Sequence, residues 1–247
     1  MKRAPTRRTL RLSAIAAAFA ATLLPLLLLR MPLSAPLASP SETEYPVRGI
    51  DISAHNGSEI DFEAVRRQGY RFVIIKSTEG SSFKDRRFAV NITRARKAGL
   101  KVGAYHFFRF DATGYMQALN FLHSLRGQRL DLPVVIDLEQ WTNPAERTQR
   151  VLTTLYSFIR HLERNGHRVM LYTNKDGYEE YVAGRLVDFP LWIASMTELD
   201  KSIDWQFWQY SHRGRVDGIS GAVDLNVFNG SVADWERWCA ANRQIMQ

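Results

Sequence analysis

The chain has 247 residues, 45% of them hydrophobic and 11% aromatic, which is enough for one large domain with a substantial core and excludes a disordered or fibrous protein. Its formal charge of +8 sits at the start: the first 38 residues hold six Lys and Arg and no acid, so the remainder carries 27 basic against 25 acidic residues, too balanced for a nucleic-acid footprint. A single cysteine, Cys239, excludes an intrachain disulfide, and six scattered histidines without an H-E-x-x-H motif exclude a zinc amidase or peptidase.

Residues 1–38 read as an export leader. A basic opening, MKRAPTRRTLRLS, precedes sixteen almost unbroken apolar residues, Ala14 to Leu29. That run is shorter than the ~20 residues a membrane span needs, and Pro25 interrupts it, so a secretory signal is the first expectation and an uncleaved anchor through residues 14–29 the second. Cleavage after Ala38 puts Pro36 where a small residue is preferred, and Arg7-Arg8 resembles a twin-arginine signal. The expected location is outside the inner membrane: periplasmic, anchored or secreted. Residues 39–46 are polar and Pro-containing and read as a linker, leaving 47–247 as the folded domain.

From Val47 short β-like runs alternate with amphipathic stretches. VRGIDIS precedes a helix over Asp61–Gln68, RFVIIKS one over Asp85–Ala98, and LKVGAYHFF one over Gly114–Leu125. LPVVIDLE is followed by a long helix over Pro144–Asn165, and HRVMLYT by a shorter one over Gly177–Ala183. Gly69, Gly99 and Gly166 fall between a helix and the next strand, where a left-handed cap is wanted. After Asp188 three strands, FPLWIAS, DWQFWQYS and GAVDLNVF, follow without room for full helices between them. Five βα units and three further strands predict an α/β fold: a closed parallel TIM-like barrel with helices outside, irregular in its last third.

The chemistry concentrates in LPVVIDLEQW. Its apolar run reads as a strand covered on both faces, and alternation sends Asp137 and Glu139 to one side, with α-carbons about 6.5 Å apart. Like charges that close raise at least one pKa, the condition for a carboxylic acid that stays protonated near neutrality. In a barrel, active groups gather at the carboxyl ends of strands. Asp51 ends the first strand and Asp224 lies in the last, its neighbour on closure, so four acids converge on one rim. The aromatics Tyr105, Tyr172 and Trp192 also lie at strand ends, where flat apolar faces and polar tips can hold a ligand, and Glu79 and Gln209 supply polar contacts. His106 reads as a hydrogen-bonded core residue.

The motifs GIDISAHNG, FVIIKSTEG, VGAYHFFR, VVIDLEQW, LYT, LWIA and WQYS with GISGAVDLNVF resemble, in order and spacing, the lysozyme-type muramidases of glycoside hydrolase family 25, from Gly49 to about Phe228. The resemblance implies an irregular barrel and cleavage of the β-1,4 bond between N-acetylmuramic acid and N-acetylglucosamine in peptidoglycan. It makes Glu139 the general acid and Asp137 its partner, either a nucleophile or the group that orients a participating N-acetyl oxygen. Asp51 and Asp224 match the remaining acidic positions. A peptidoglycan glycan strand is the implied partner, a monomer the expected state, and no cofactor or metal is implied. The aromatic that usually follows LWIA-x is Met196 here. Two other readings remain open: an inactive wall-binding scaffold on the same fold, and a chitinase-like glycosidase, whose motif expects acids where this chain has Val134 and Val135.

Overall fold

The computed structural model describes residues 37–57 and 59–243, so the candidate leader and the apolar run at 14–29 lie outside the described residues. Among the described residues no helix is long and apolar enough to cross a membrane. The strands are β1 (Arg48–Ile52), β2 (Tyr70–Glu79), the two-residue β3 (Phe83–Lys84), β4 (Lys101–Phe107), β5 (Val134–Asp137), β6 (Val169–Asn174), β7 (Leu191–Ala194), β8 (Phe207–Gly214) and β9 (Val223–Phe228). The helices are α1 (Phe62–Arg67), α2 (Phe88–Lys97), α3 (Gly114–Leu125), α4 (Thr148–Arg164), the short α5 (Lys175–Gly177, continued as a wide turn through Tyr178–Val182) and α6 (Val232–Asn242).

Eight strands close a barrel: β1, β2, β4, β5, β6, β7 and β8 pair in parallel, and β9 pairs antiparallel with both β8 and β1. The expectation of an all-parallel barrel is corrected at β9. Parallel strands need a crossover of a dozen or more residues, and the stretch 215–222 between β8 and β9 is too short for one, so the chain turns back as a hairpin. The register then sets Asp51 opposite Asp224 across the β1–β9 ladder.

Period-two alternation sorts each strand between two cores. In β2, Phe72 and Ile74 enter the barrel interior, while Val73 and Ile75 face the helices. The same parity sends Val135 inward and Val134 and Ile136 outward in β5, so Asp137 points into the barrel. Asp51 is out of phase with the outward-facing Ile50 and Ile52, and Gln209 is in phase with the inward-facing Phe207. Gly49 leaves room for this interior, because a Cβ there would lie 2.2 Å from the Phe72 ring. At the amino end of the barrel, α6 supplies the plug: Trp235 packs on Phe72 and Phe228 at centroid distances of 5.3 and 5.2 Å. Cys239, on the same helix, is buried in this cluster and its thiol is pushed up to about 12 by burial. The polar rim at the opposite end is what remains open.

Three helix ends follow the sequence rule, Gly69 past α1 having φ of 91°. Past α2 and α4, Gly99 and Gly166 have φ of 83° and 80°, the left-handed conformation that a side chain would strain. Helix α4 begins at Thr148, four residues later than the pattern predicts, because Asn143 draws the preceding loop back onto the barrel. Residues 39–46, read as a linker, and the two residues before them lie against the barrel: the Ala38 N–H donates to the Met196 carbonyl (2.8 Å), Arg48 pairs with Glu42, and Tyr45 packs 5.6 Å from Trp205.

Candidate active site

At the carboxyl rim Asp51 (β1), Tyr105 (β4), Asp137 and Glu139 (β5 and just beyond), Tyr172 (β6), Trp192 (β7), Gln209 (β8) and Asp224 (β9) line one pocket of about 110 Å³. Seven strands and the loop after β5 therefore converge on a space the size of a few waters. Glu139 owes its placement to a braced backbone. Asn143 donates to its carbonyl (2.9 Å) and to that of Phe108 (2.9 Å), and Thr173 Oγ1 donates to the preceding Leu138 carbonyl (2.6 Å). Bracing of this kind holds a reacting group in place before substrate arrives.

Burial and mutual repulsion raise the acids together. The Glu139 carboxyl is pushed up to about 7, first by burial and then by the Asp224 charge. Asp137 is held well above the usual carboxylate range by burial and then by Glu139, with Lys76 opposing. Its Oδ1 is buried without a hydrogen-bond partner. Asp51 is likewise raised by burial and then by Asp224, and Asp224 is raised by burial. The Tyr105 and Tyr172 hydroxyls are held above their ordinary values, so both are neutral donors at physiological pH. A protonated carboxylic acid near neutrality, beside acids and donors of a different character, can deliver a proton to a leaving oxygen.

Hydrogen bonds tie the walls together. The Tyr172 hydroxyl donates to Gln209 Oε1 (2.9 Å), and Gln209 Nε2 donates to Asp51 Oδ2 (2.9 Å). Trp192 Nε1 donates to Asn226 Oδ1 (2.8 Å), and Asn226 Nδ2 donates to the same Asp51 oxygen (2.7 Å).

The model of the glycosyl hydrolases family 25 matches residues 50–219, most of the barrel. The chain belongs to glycosyl hydrolase family 25. Among the relatives of this family 25 hydrolase, lysozyme M1 of Streptomyces globisporus is 37% identical over 206 residues, covering 76% of this chain and 69% of that one. An N,O-diacetylmuramidase of Arthroderma benhamiae is 28% identical over 83% of this chain and 92% of its own length. The structure of a family 25 glycosyl hydrolase from Bacillus anthracis superposes with a TM-score of 0.73 at 33% identity, covering 84% of this chain and 99% of that one.

Of the nine residues named from the sequence, eight line the pocket of this glycoside hydrolase. Glu79 does not. It ends β2 beside the pocket in ion pairs with Lys76 (2.8 Å) and Arg109 (3.8 Å), and its charge still helps to raise Asp137. His106 is a core residue: Nδ1 bonds Thr78 Oγ1 (2.7 Å), Nε2 bonds Gln117 Oε1 (3.1 Å), and burial drives its pKa down to about 3. Met196 has its sulfur 3.1 Å from His212 Nδ1. Two contributors were missed. Lys76 carries the cation that opposes the rise at Asp137, and its signal was a lysine in phase with the inward-facing Ile74. Asn226, fully buried, had only its parity with Asp224 to mark it.

Proposed function

We propose that this family 25 hydrolase is a peptidoglycan muramidase, cleaving the β-1,4 bond between N-acetylmuramic acid and N-acetylglucosamine. The observation that carries the reading is a carboxyl, Glu139, raised to about 7 in a pocket it shares with three other acids and three aromatic residues. The lysozyme and the muramidase among its relatives supply the substrate class.

In the reading offered here, Glu139 protonates the glycosidic oxygen as the C1–O bond breaks. The sugar's own acetamido oxygen attacks C1, and Asp137 accepts the acetamido N–H through the oxygen that has no partner in the free protein. That N–H favours the charged form of Asp137 at the moment positive charge develops on the ring. Glu139, now a carboxylate, takes a proton from the water that opens the cyclic intermediate, and the configuration at C1 is retained. Asp224 sets the charge around Glu139, and Asp51 acts on Asp224 and Asp137. Tyr105, Tyr172 and Trp192 present ring faces to the sugar, and the Tyr105 hydroxyl presents a donor. No step calls for a metal or cofactor, and the protein acts as an exported monomer on the glycan strand, either released or held by residues 14–29.

The test is product analysis after incubation with purified peptidoglycan. New reducing ends on muramic acid establish the activity. Reducing ends on N-acetylglucosamine contradict the bond assignment, and binding without release favours the scaffold.

A further inference from the structure

The acidic pocket holds about 110 Å³, so it takes the reacting groups of one sugar and leaves the rest of a glycan strand lying across the rim. The rings that line it are almost covered: Trp192 is 2% exposed and Tyr172 9%, so together they make a floor. Two residues past Glu139 stands a ring of the opposite kind. Trp141 is 76% exposed, although tryptophan is on average a highly buried residue. The turn that carries it is closed without it. The Asn143 N–H donates to the Gln140 carbonyl (2.6 Å) and Gln140 Nε2 to the Asn143 carbonyl (3.1 Å). Arg109 Nη1 donates to the Thr142 carbonyl (3.1 Å), and Asn143 Oδ1 accepts from the Phe110 N–H (2.9 Å). Polar groups therefore fix the backbone on either side of Trp141, and the indole is held out in water beside the acid.

We propose that Trp141 is a substrate-binding residue: its indole is a platform outside the acidic pocket for a sugar ring of the strand next to the one that reacts. The C–H face of a pyranose is apolar and packs on a flat aromatic face, which removes apolar surface of both from water. Because the turn is already fixed, little ordering is lost on binding. The other exposed rings are placed differently. Tyr115 and Tyr156 stand on the outer helices α3 and α4, and Phe83, at the rim on β3, has the Lys76 ammonium 5.4 Å from its ring centroid. The platform rests on the glycan strand being the ligand, as proposed above, but not on its being cut.

Two measurements on the full chain test this. In peptidoglycan solubilisation, Trp141→Ala should raise KM roughly 10-fold with kcat within about twofold and the limbs of the pH profile unmoved, the scale of one aromatic face lost from a binding site. Trp141→Phe should restore part of the affinity, and Tyr115→Ala, which removes an exposed ring on α3, should match the parent. The second measurement is iodide quenching of tryptophan fluorescence. Of the six tryptophans, Trp192, Trp205, Trp208 and Trp235 are at most 8% exposed and Trp238 is partly buried, so iodide reaches chiefly Trp141. Peptide-free glycan strands added to the Glu139→Gln protein should remove most of that quenching, and free stem peptides should not. An unchanged KM in Trp141→Ala, a loss that Phe does not relieve, or quenching that glycan leaves unaltered overturns the proposal. Fragments released without protection of Trp141 sink the platform and leave the muramidase standing; protection without release sinks the muramidase and leaves the platform.

Discussion

Replacing Asp224 with Asn removes one negative charge from the pocket wall and keeps the size of the side chain. Glu139 rises from 4.5 to about 7 through burial first and the Asp224 charge second, and only the second contribution is lost. A like charge at this range accounts for about one unit, so the acid should fall to about 6. Relieved of its neighbour, Asp51 ionises more readily, but its field falls on Asp137, not on Glu139. At pH 7 the protonated fraction of Glu139 then drops from about one half to about one tenth, a roughly fivefold loss of kcat/KM, whereas at pH 5 both proteins are more than ~90% protonated and should differ little in this respect. The assay is the initial rate of peptidoglycan solubilisation between pH 4 and 9. A basic limb that stays near pH 7 in the Asp224→Asn protein would refute the claim that Asp224 holds the proton on Glu139.

The same carboxyl makes a stability prediction. Because the folded protein binds a proton on Glu139 that the unfolded chain has released above about pH 4.5, stability falls as pH rises toward 7, by on the order of 2–3 kcal/mol in total. Glu139→Gln should therefore raise Tm by roughly 5–10 °C at pH 8 and leave it unchanged at pH 4, as calorimetry can show; an equal effect at both pH values would contradict the linkage. Asp137→Asn should lower kcat by about 10²–10³-fold with little change in KM, and undiminished turnover would remove Asp137 from the reaction. Gly114→Ala puts a Cβ 2.2 Å from the Thr154 carbonyl where α3 crosses α4. It should cost about 1–3 kcal/mol in denaturant unfolding, and an unaltered midpoint would mean the helices can part cheaply.

How much of this was legible differs from residue to residue. Asp51, Asp137, Glu139 and Asp224 announced themselves because a carboxylate in an apolar strand breaks a local pattern, and the strand-end rule then brought them together. The helices over 61–68 and 114–125 were legible because their periodicity and caps agree: Asp61 and Thr113 accept from the backbone N–H groups of Ala64 and Met116. The direction of β9 was not, since alternation is blind to whether a strand runs up or down, and only the length of the 215–222 connection held that information. Residues 39–46 have a linker's composition, yet Tyr45 finds Trp205 and Trp208 on the barrel, a contact between positions far apart in sequence. Asn226 was unreadable for the same reason. Its partners Trp192 and Asp51 lie 34 and 175 positions away, and an Asn in a strand names neither. Glu79 differs in the opposite sense: its place at the end of β2 suggested the pocket, and it stands outside the lining, paired with Lys76 and Arg109.

The most direct measurement is turnover of the Glu139→Gln protein on purified peptidoglycan, with its fold checked by circular dichroism. If Glu139 is the proton donor, release of soluble fragments ends while the spectrum is unchanged and the protein still binds the glycan. Continued release of fragments with muramic acid at the reducing end would contradict the account at its centre.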